Sequence, residues 1–309
     1  MTGGFKINEE YTPSKLYELA KMDGAIVLSK DLKKILLANT QIIPSSKIIT
    51  EETGTRHRTA ERTAKQTGEL VISISQRRNI ITVFKGDFRY TIEDSAKIIT
   101  KANQALQTLE NYKKVFDNQL STLNEYEFND IVTLDNVITC LQRAEMVMRI
   151  SEEVNRAILE LGADGFLVKM QLDELIENMP TEELLIIKDY MAPRKKLDPE
   201  KILAMIRGGA CEGFIDSNTI AKLLGYEIFE NYEEIAVYPK GYRILNKIPR
   251  MPNAIVNNLV KTFKSFQHIL AADIQKLDDV EGIGEVRAKA IKQSLRRMQE
   301  QFMFDNLMI

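Results

Sequence analysis

The chain has 309 residues, of which 44% are hydrophobic, and its formal net charge is −2 at pH 7. This length allows about two or three domains of ordinary size, and we expect neither a membrane span of roughly 18 apolar residues nor a secretory leader. Because Cys140 and Cys211 stand far apart without metal-binding spacing, neither a disulfide framework nor a zinc site is indicated, and we expect a cytoplasmic protein.

The charge is unevenly distributed along the chain. Residues 1–100 carry 16 Lys or Arg against 12 Asp or Glu, residues 101–230 carry 14 against 23, and residues 231–309 carry 12 against 9. Clustered basic side chains attract anions such as nucleotides and nucleic acids. We therefore expect anionic ligands at the two outer segments rather than at the acidic middle one.

The first segment, residues 1–90, alternates short apolar runs with turns. The pattern TAERTAKQTG predicts a helix that starts at about Thr59 and ends at Gly68. The run QRRN after Ser75 could close a hairpin between two strands. The mixture indicates an α/β or α+β domain. Four runs rich in Ile, Val and Leu predict strands: GAIVLS (24–29), KILLAN (34–39), ELVISIS (69–75) and NIITVFKG (79–86).

The second segment, residues 91–235, changes to helical periodicity. Thr91 with Asp94 predicts a capping box, and apolar residues recur every three or four positions from there to Phe116. A second helical pattern covers residues 134–161 before Gly162, and a third covers about residues 166–191. We predict an all-α bundle or spacer whose Met and Leu stripes form core.

The third segment, residues 236–309, contains LNKIPRMPNAIVNNLVKTF and LDDVEGIGEVRAKAIKQSLRRM. Each has a turn before an apolar helical pattern, which indicates a tandem repeat of one helical hairpin. In the second copy, Gly282 and Gly284 would let the chain turn so that backbone N–H groups at the next helix could hold a phosphate. The alternative is a plain turn whose glycines only serve packing.

The basic side chains beside these turns favour DNA binding over the plain turn. The arrangement resembles the helix-hairpin-helix module, which implies contacts with the DNA backbone, independent of base sequence, that weaken as salt rises. The predicted DNA-binding residues are Lys247, Arg250, Gly282, Gly284, Arg287, Lys289 and Lys292.

The first segment contains neither a P-loop nor a GxGxxG motif, so any nucleotide must be held in another way. The stretch GTRHRTAE places Arg56, His57 and Arg58 before a predicted helix, where they could grip a polyphosphate. The alternative is a solvated basic turn whose arginines pair with nearby glutamates. Those glutamates are Glu51, Glu52 and Glu61.

Taken together, DGA at 23–25 and RHR at 56–58, with YELAKMDGAIVLS before and ELVISISQRRNIITVF after, resemble the diadenylate cyclase family. With the acidic helical middle and the paired hairpins, the whole order is similar to the DNA integrity scanning (DisA) family. The resemblance implies a mixed-sheet α/β cyclase domain over residues 1–90, an all-α linker bundle over 91–235 and a helix-hairpin-helix DNA-binding domain over 236–309.

The resemblance also implies an activity, the condensation of two ATP molecules into cyclic di-AMP with release of two pyrophosphates and the help of Mg²⁺ or Mn²⁺. Asp23 would be the catalytic carboxylate that helps to hold the metal. Gly24, Ala25 and Ile42, where the family often has leucine, would line the adenosine pocket. Ser75 would lie beside the phosphates. The residues that would bind the triphosphate are Thr55, Arg56, His57, Arg58 and Thr59.

The same resemblance implies partners. Each ATP must both supply and receive a hydroxyl, so two cyclase domains must face each other, and the family does this as a homo-octamer held by its helical middle. The other partner would be branched or damaged DNA, which would lower cyclase activity as part of a DNA-damage and repair checkpoint. A nucleoid-associated cytoplasmic protein without membrane contact is expected.

In that family about fifty residues precede the position of Gly3, so the sequence predicts an unpaired strand edge in the first domain. An alternative function follows from this expectation. The chain would then be a DNA-binding scanning or scaffold protein whose truncated first domain binds a nucleotide without turning it over.

Overall fold

The computed structural model describes residues 1–76, 80–193, 197–209, 215–227 and 231–305, so Cys211 lies outside the described residues. The chain divides into two compact units, Met1–Ile98 and Ile99–Ile309. Among the described helices, none is both long and apolar enough to cross a membrane.

The first unit combines strands with two helices, as the sequence predicts. In the described part of the chain its strands form two three-stranded sheets, ordered β1-β3-β2 and β4-β5-β6, and the pairings are antiparallel where a mixed sheet was expected. For β5 and β6 the connection explains this, since a link as short as residues 86–87 can join only antiparallel neighbours. The elements are β1 (Phe5–Glu10), α1 (Pro13–Leu19), β2 (Ala25–Leu28), β3 (Lys34–Thr40), α2 (Thr55–Thr67), β4 (Leu70–Ser75), β5 (Ile80–Lys85) and β6 (Phe88–Ile92).

Helix α2 packs on the second sheet through Ala60 and Ala64, which form a small core with Phe84 and the half-buried Val71. Its predicted end is confirmed, because Gly68 adopts a left-handed conformation (φ 73°) and donates its N–H to the Ala64 carbonyl at 2.8 Å. Its predicted start is wrong.

The helix begins at Thr55 rather than at about Thr59, with the extended Gly54 as its N-cap. The N–H of Arg58 already donates to the Gly54 carbonyl at 2.8 Å. Cations in a first turn oppose the helix dipole, so the sequence pattern gives no sign that the helix includes them.

The remaining described helices belong to the segment that was predicted to be all-α and to the C-terminal segment. The stop at Gly162 is confirmed. The predicted box at Thr91 is wrong, because Thr91 pairs in β6 and Asp94 caps the helix by accepting from the Ala96 N–H at 2.9 Å. The helices are α3 (Ser95–Asn129), α4 (Leu134–Leu161), α5 (Phe166–Ile176), α6 (Met179–Tyr190), α7 (Pro199–Gly208), α8 (Ser217–Leu224), α9 (Tyr242–Asn246), α10 (Asn253–Phe263), α11 (Phe266–Ala271), α12 (Ile274–Asp278) and α13 (Glu285–Asp305).

The two similar C-terminal stretches each form a helix, a turn and a helix, α9 with α10 and α12 with α13. Both turns contain one residue in the left-handed conformation at the same point of the repeat. This residue is Arg250 (φ 58°) in the first turn and Gly282 (φ 84°) in the second. The sequence repeat is therefore also a repeat of backbone conformation.

A buried ionic cluster ties α9 to the linker helices within the second unit. Arg243 is 0% exposed, and its guanidinium donates to Asn124 and to the Glu127 carboxylate. The Tyr190 hydroxyl donates to the other oxygen of Glu127 at 2.6 Å. Burying a charge is costly unless it is paired and hydrogen-bonded, and here the charge is paired and both Nη atoms are bonded, whereas Arg243 Nε has no hydrogen-bond partner among the described residues.

Asp189, near the end of α6, caps the start of α9 in the same region. Its carboxylate accepts from the backbone N–H groups of Gly241, Tyr242 and Arg243 at 2.6–2.9 Å. Burial and the nearby Glu127 raise the pKa of Asp189 to about 7, against the opposing effect of these donors. A contact in the opposite direction joins the same two helices. The Lys240 ammonium, just before α9, donates to the Met191 carbonyl just after α6 at 2.7 Å.

We expect Arg243→Met to lower the free energy of unfolding by about 3–5 kcal/mol, because Glu127 would be left buried without its cation. Chemical denaturation followed by circular dichroism would measure the change. The exposed Arg296, which pairs with Glu300 at 2.9 Å, offers a control, and Arg296→Met should leave the midpoint unchanged. The double variant with Glu127→Leu should regain much of the loss. Equal midpoints for Arg243→Met and Arg296→Met would contradict this account.

Candidate functional site

The DGA motif lies at the entry to β2 and is pressed against the end of β3. The Gly24 N–H donates to Asn39 Oδ1 at 3.1 Å. A Cβ atom at Gly24 would stand 2.3 Å from the Asn39 carbonyl carbon and 2.6 Å from the Thr40 nitrogen, both backbone atoms. Only glycine fits there, so Gly24 is required by the approach of two strands whatever its role toward a ligand.

Sequence reasoning missed Asn39, which positions this motif. Asn39 adopts a left-handed conformation (φ 52°), which asparagine tolerates better than most residues. The available signal was an asparagine at the end of a predicted strand, where a turn residue is common.

The structure brings the DGA and RHR motifs together, although they lie 33 residues apart in the sequence. Arg56 Nη2 donates to Asp23 Oδ1 at 2.7 Å. The two side chains remain 71% and 96% exposed, respectively. Exposed ion pairs contribute little stability, so an anionic ligand or a cation could separate them at little cost.

The RHR motif forms the first turn of α2, not a loop before it. The N–H groups of Thr55, Arg56 and His57 therefore lie where a helix offers no acceptor, and no cap side chain among the described residues bonds to them, so they can meet an anion. Arg56 is exposed and His57 is half-buried. Arg58 Nη2 donates to the Thr53 carbonyl at 3.0 Å, while its buried Nε has no hydrogen-bond partner among the described residues.

Two of the three glutamates that could have neutralised this turn are engaged elsewhere. Glu52 pairs with Arg89 at 2.7 Å and Glu61 with Lys65 at 2.8 Å. Burial acts to raise the pKa of Glu61, but hydrogen bonds from Lys65 and Thr50 outweigh it, so the pKa lies below its usual range. The arginines of this turn therefore do not pair with Glu52 or Glu61, and of that alternative only the pairing with Glu51 stays open.

The other predicted nucleotide-binding residues lie in or next to strands β2, β3 and β4 and helix α2. Ala25 is the first residue of β2 and pairs with Thr40, and the half-buried Ile42 follows β3. Ser75 ends β4, one of the strands against which α2 packs. Thr59 lies in α2 one turn after Thr55 and is half-buried.

One side chain at this site, the Asp23 carboxylate, is a suitable ligand for a hard cation. Among the described residues, no cluster of three or more His, Cys, Asp or Glu side chains could hold a metal ion. The exposed Asp23 carboxylate offers the oxygen ligand that Mg²⁺ and Mn²⁺ prefer. Mg²⁺ is commonly bound by one or two carboxylates together with substrate phosphates, so Asp23 fits such a site once a nucleotide is present.

The turn between α12 and α13 gives its two glycines different roles. Gly282 needs its left-handed conformation, and a Cβ atom there would stand 2.7 Å from Ile255 Cδ1. Gly284 has no atom within 4 Å of such a Cβ among the described residues. The packing alternative therefore accounts for Gly282 but not for Gly284.

The predicted DNA-binding cations are held in different ways. Arg287 Nη1 donates to the Gly282 carbonyl at 2.6 Å, and Lys289 pairs with Glu285 at 2.5 Å on the exposed side of α13. The Lys292 ammonium donates at 2.7 Å to two carbonyls at the end of α11, Leu270 and Ala272. In the first turn, Lys247 Nζ donates to Asn124 Oδ1 at 3.2 Å, and Arg250 is exposed.

Comparison with known proteins gives consistent matches along the chain. A family model described as DisA bacterial checkpoint controller nucleotide-binding matches residues 1–88, and one described as DisA bacterial checkpoint controller linker region matches residues 92–232. The DNA integrity scanning protein DisA of Clostridium botulinum (strain Loch Maree / Type A3) is 53% identical over 305 residues, which cover 99% of this chain and 86% of that protein.

Two further relatives of the same name show equal similarity. The protein from Carboxydothermus hydrogenoformans is 53% identical over 97% of this chain and 85% of its own length. The protein from Acetivibrio thermocellus is 53% identical over 98% of this chain and 84% of its own length. The site described above thus lies in a segment that matches a nucleotide-binding domain.

We expect Gly24→Ala to abolish nucleotide binding, because its Cβ atom would push Asp23 and the start of β2 away from β3. Calorimetric titration with a non-hydrolysable ATP analogue would measure this. Gly208→Ala is the matched control, since a Cβ atom at Gly208 has no neighbour within 4 Å in the described part of the chain. If Gly24→Ala bound the analogue as tightly as the parent chain, the positioning role of Gly24 would be refuted.

Proposed function

Because this chain belongs to the DisA family of bacterial checkpoint controllers, we propose that it is a diadenylate cyclase that converts two ATP molecules into cyclic di-AMP and two pyrophosphates. The observation that carries the proposal is the contact between Asp23 and Arg56. It places an exposed carboxylate beside a cationic helix start, and a nucleotidyl transfer needs both. The carboxylate can orient the attacking hydroxyl and accept its proton, and the cations can stabilise the negative charge of the phosphates.

The first turn of α2 would bind the triphosphate. Its free N–H groups and the partial positive charge of the helix start would face the phosphate oxygens. Arg56, now paired with Asp23, would move to the phosphates, because a bidentate contact between guanidinium and phosphate is stronger than an exposed ion pair. His57, Arg58 and the hydroxyls of Thr55 and Thr59 would complete the grip, and Ser75 would lie beside it.

Asp23 would act on the reacting hydroxyl. In each half-reaction the 3′-oxygen of one ATP bonds to the α-phosphorus of the other, and the bond from that phosphorus to the pyrophosphate oxygen breaks. Asp23 would orient the hydroxyl and accept its proton, and Arg56 and Arg58 would stabilise the charge on the departing pyrophosphate. Mg²⁺ or Mn²⁺ held by Asp23 and the phosphates would supply further neutralisation of that charge.

The adenosine would lie against Gly24, Ala25 and Ile42, since these residues lie at or next to the ends of β2 and β3 that pair with each other. One such pocket holds one ATP, whereas the ring requires two. We propose that two copies of the nucleotide-binding domain face each other, within a homo-octamer. Each copy would then supply one hydroxyl and one α-phosphate.

The C-terminal hairpins support a second activity, the binding of branched or damaged DNA through its backbone. Gly284 leaves the second turn open, and Arg287 and Lys289 stand exposed beside it. Such contacts hold phosphates without reading bases. The relatives named DNA integrity scanning proteins are consistent with this role. Occupied DNA sites would lower cyclase activity.

Incubating the chain with ATP and Mg²⁺ or Mn²⁺, followed by chromatography, should give cyclic di-AMP with two pyrophosphates for each ring. Asp23→Asn should lower the rate by about 100-fold or more, the usual contribution of a proton acceptor. Asp87→Asn, an exposed carboxylate in the turn between β5 and β6, is the control and should retain activity. If the chain binds ATP but releases no pyrophosphate, the nucleotide-binding scaffold is the correct function instead.

Binding to a fluorescent four-way DNA junction should weaken steeply with salt. Each neutralised phosphate contributes a slope of about −0.9 to the plot of log affinity against log salt concentration. Fluorescence anisotropy across a salt series would give this slope. Absence of binding at low salt, or binding that salt does not change, would refute backbone recognition. Cyclase activity that stays constant across a DNA titration would refute the coupling.

A further inference from the structure

The two C-terminal hairpins share a fold but differ in what their turns can offer a ligand. We call residues 247–253 the first turn and residues 279–285 the second turn. We infer that only the second turn contacts the DNA backbone, whereas the first hairpin is the platform that holds it in place. This inference rests on the proposed DNA binding and revises the expectation that both hairpins contribute phosphate ligands.

The first turn has lost backbone donors that the second turn keeps. Arg250 and Gly282 share the left-handed conformation, which aligns the two turns residue by residue. By this alignment Pro249 stands at the position of Glu281 and Pro252 at the position of Gly284. Proline has no N–H, and its ring occupies space that Gly284 leaves open. The first turn therefore lacks the N–H groups of residues 249 and 252 and the clearance that Gly284 leaves for a close phosphate.

The first hairpin also bonds two of its basic side chains, the exposed Lys247 and the buried Arg243, to α3. The Lys247 ammonium donates to Asn124 of α3, and burial lowers the pKa of this lysine. Arg243, one helix turn earlier, is buried against Glu127 and Asn124 of the same helix. Both cations are thus used to fix the hairpin to α3. Arg250 is exposed, but the prolines at positions 249 and 252 beside it remove two N–H groups that could hold the same phosphate.

Helix α10 of the first hairpin supports the second turn directly. Asn258 Nδ2 donates to the Glu281 carbonyl at 2.9 Å. Ile255 Cδ1 fills the space below Gly282, so closely that no side chain fits there. These two contacts fix the backbone at the left-handed Gly282 and at Glu281 before it. Asn258 and Ile255 are positioning residues, because they act on DNA only through the second turn.

The outward side of the second turn leaves room for a ligand. Gly284 is open, and Val286 is 85% exposed although it is apolar. Arg287 and Lys289 are exposed on the same helix start. Free N–H groups, an apolar side chain and two cations together suit a sugar-phosphate backbone, which offers both charged phosphates and apolar sugar faces.

The test measures binding of the full chain to a fluorescent four-way DNA junction at low salt, with one change in each hairpin. Gly284→Pro copies the first turn into the second and should weaken binding about tenfold, and Arg287→Gln should do the same while reducing the salt slope by about 1. Lys247→Met and Arg250→Gln should leave affinity within about twofold. Thermal denaturation of each variant would show that it is folded.

Asn258→Ala separates positioning from contact. It removes no charge, so it should weaken binding about threefold while leaving the salt slope unchanged. The inference is overturned if Lys247→Met or Arg250→Gln weakens binding as much as Arg287→Gln does. If the parent chain fails to bind DNA at low salt, both the proposed DNA binding and this inference are refuted. Binding that both sets of variants weaken equally would overturn the inference alone.

Discussion

The first unit depends on the approach of Gly24 to the backbone of Asn39. At that point the two strands lie so close that no side chain could stand between them, and the Gly24 N–H is held by the Asn39 side chain. This contact fixes the position of the preceding residue, Asp23, opposite Arg56. Gly24, which was predicted to line the adenosine pocket, is therefore required by the fold itself. The pocket forms as a consequence of this close approach.

Helix α2 carries its functional residues at an energetic cost. Arg56, His57 and Arg58 lie at the positive end of the helix dipole, where cations are unfavourable. The helix is held elsewhere, by Ala60 and Ala64 against the second sheet. Packing thus maintains a turn that local preference disfavours, and a bound triphosphate would relieve the repulsion. Such conflicts between local preference and structure are expected at functional sites.

What could be predicted from the sequence follows from the range of the forces involved. Local signals such as Gly68 gave the end of α2 correctly, and periodicity gave α4, whereas the single pattern expected over about residues 166–191 is two helices, α5 and α6. The start of α2 was missed because cations are unfavourable in the first turn of a helix, so Arg56 and Arg58 did not indicate a helical residue. The inward contacts of Lys247 and Lys292 were also missed, since a basic residue in sequence gives no indication of a distant carbonyl or amide that binds its ammonium.

A crystal structure of this chain with a non-hydrolysable ATP analogue would show whether the first turn of α2 binds the triphosphate. We expect the triphosphate against the N–H groups of Thr55, Arg56 and His57, with the Arg56 guanidinium on phosphate and no longer on Asp23. We also expect the adenosine beside Ala25 and Ile42. A triphosphate bound away from the first turn of α2, with the Asp23–Arg56 pair intact, would contradict this expectation.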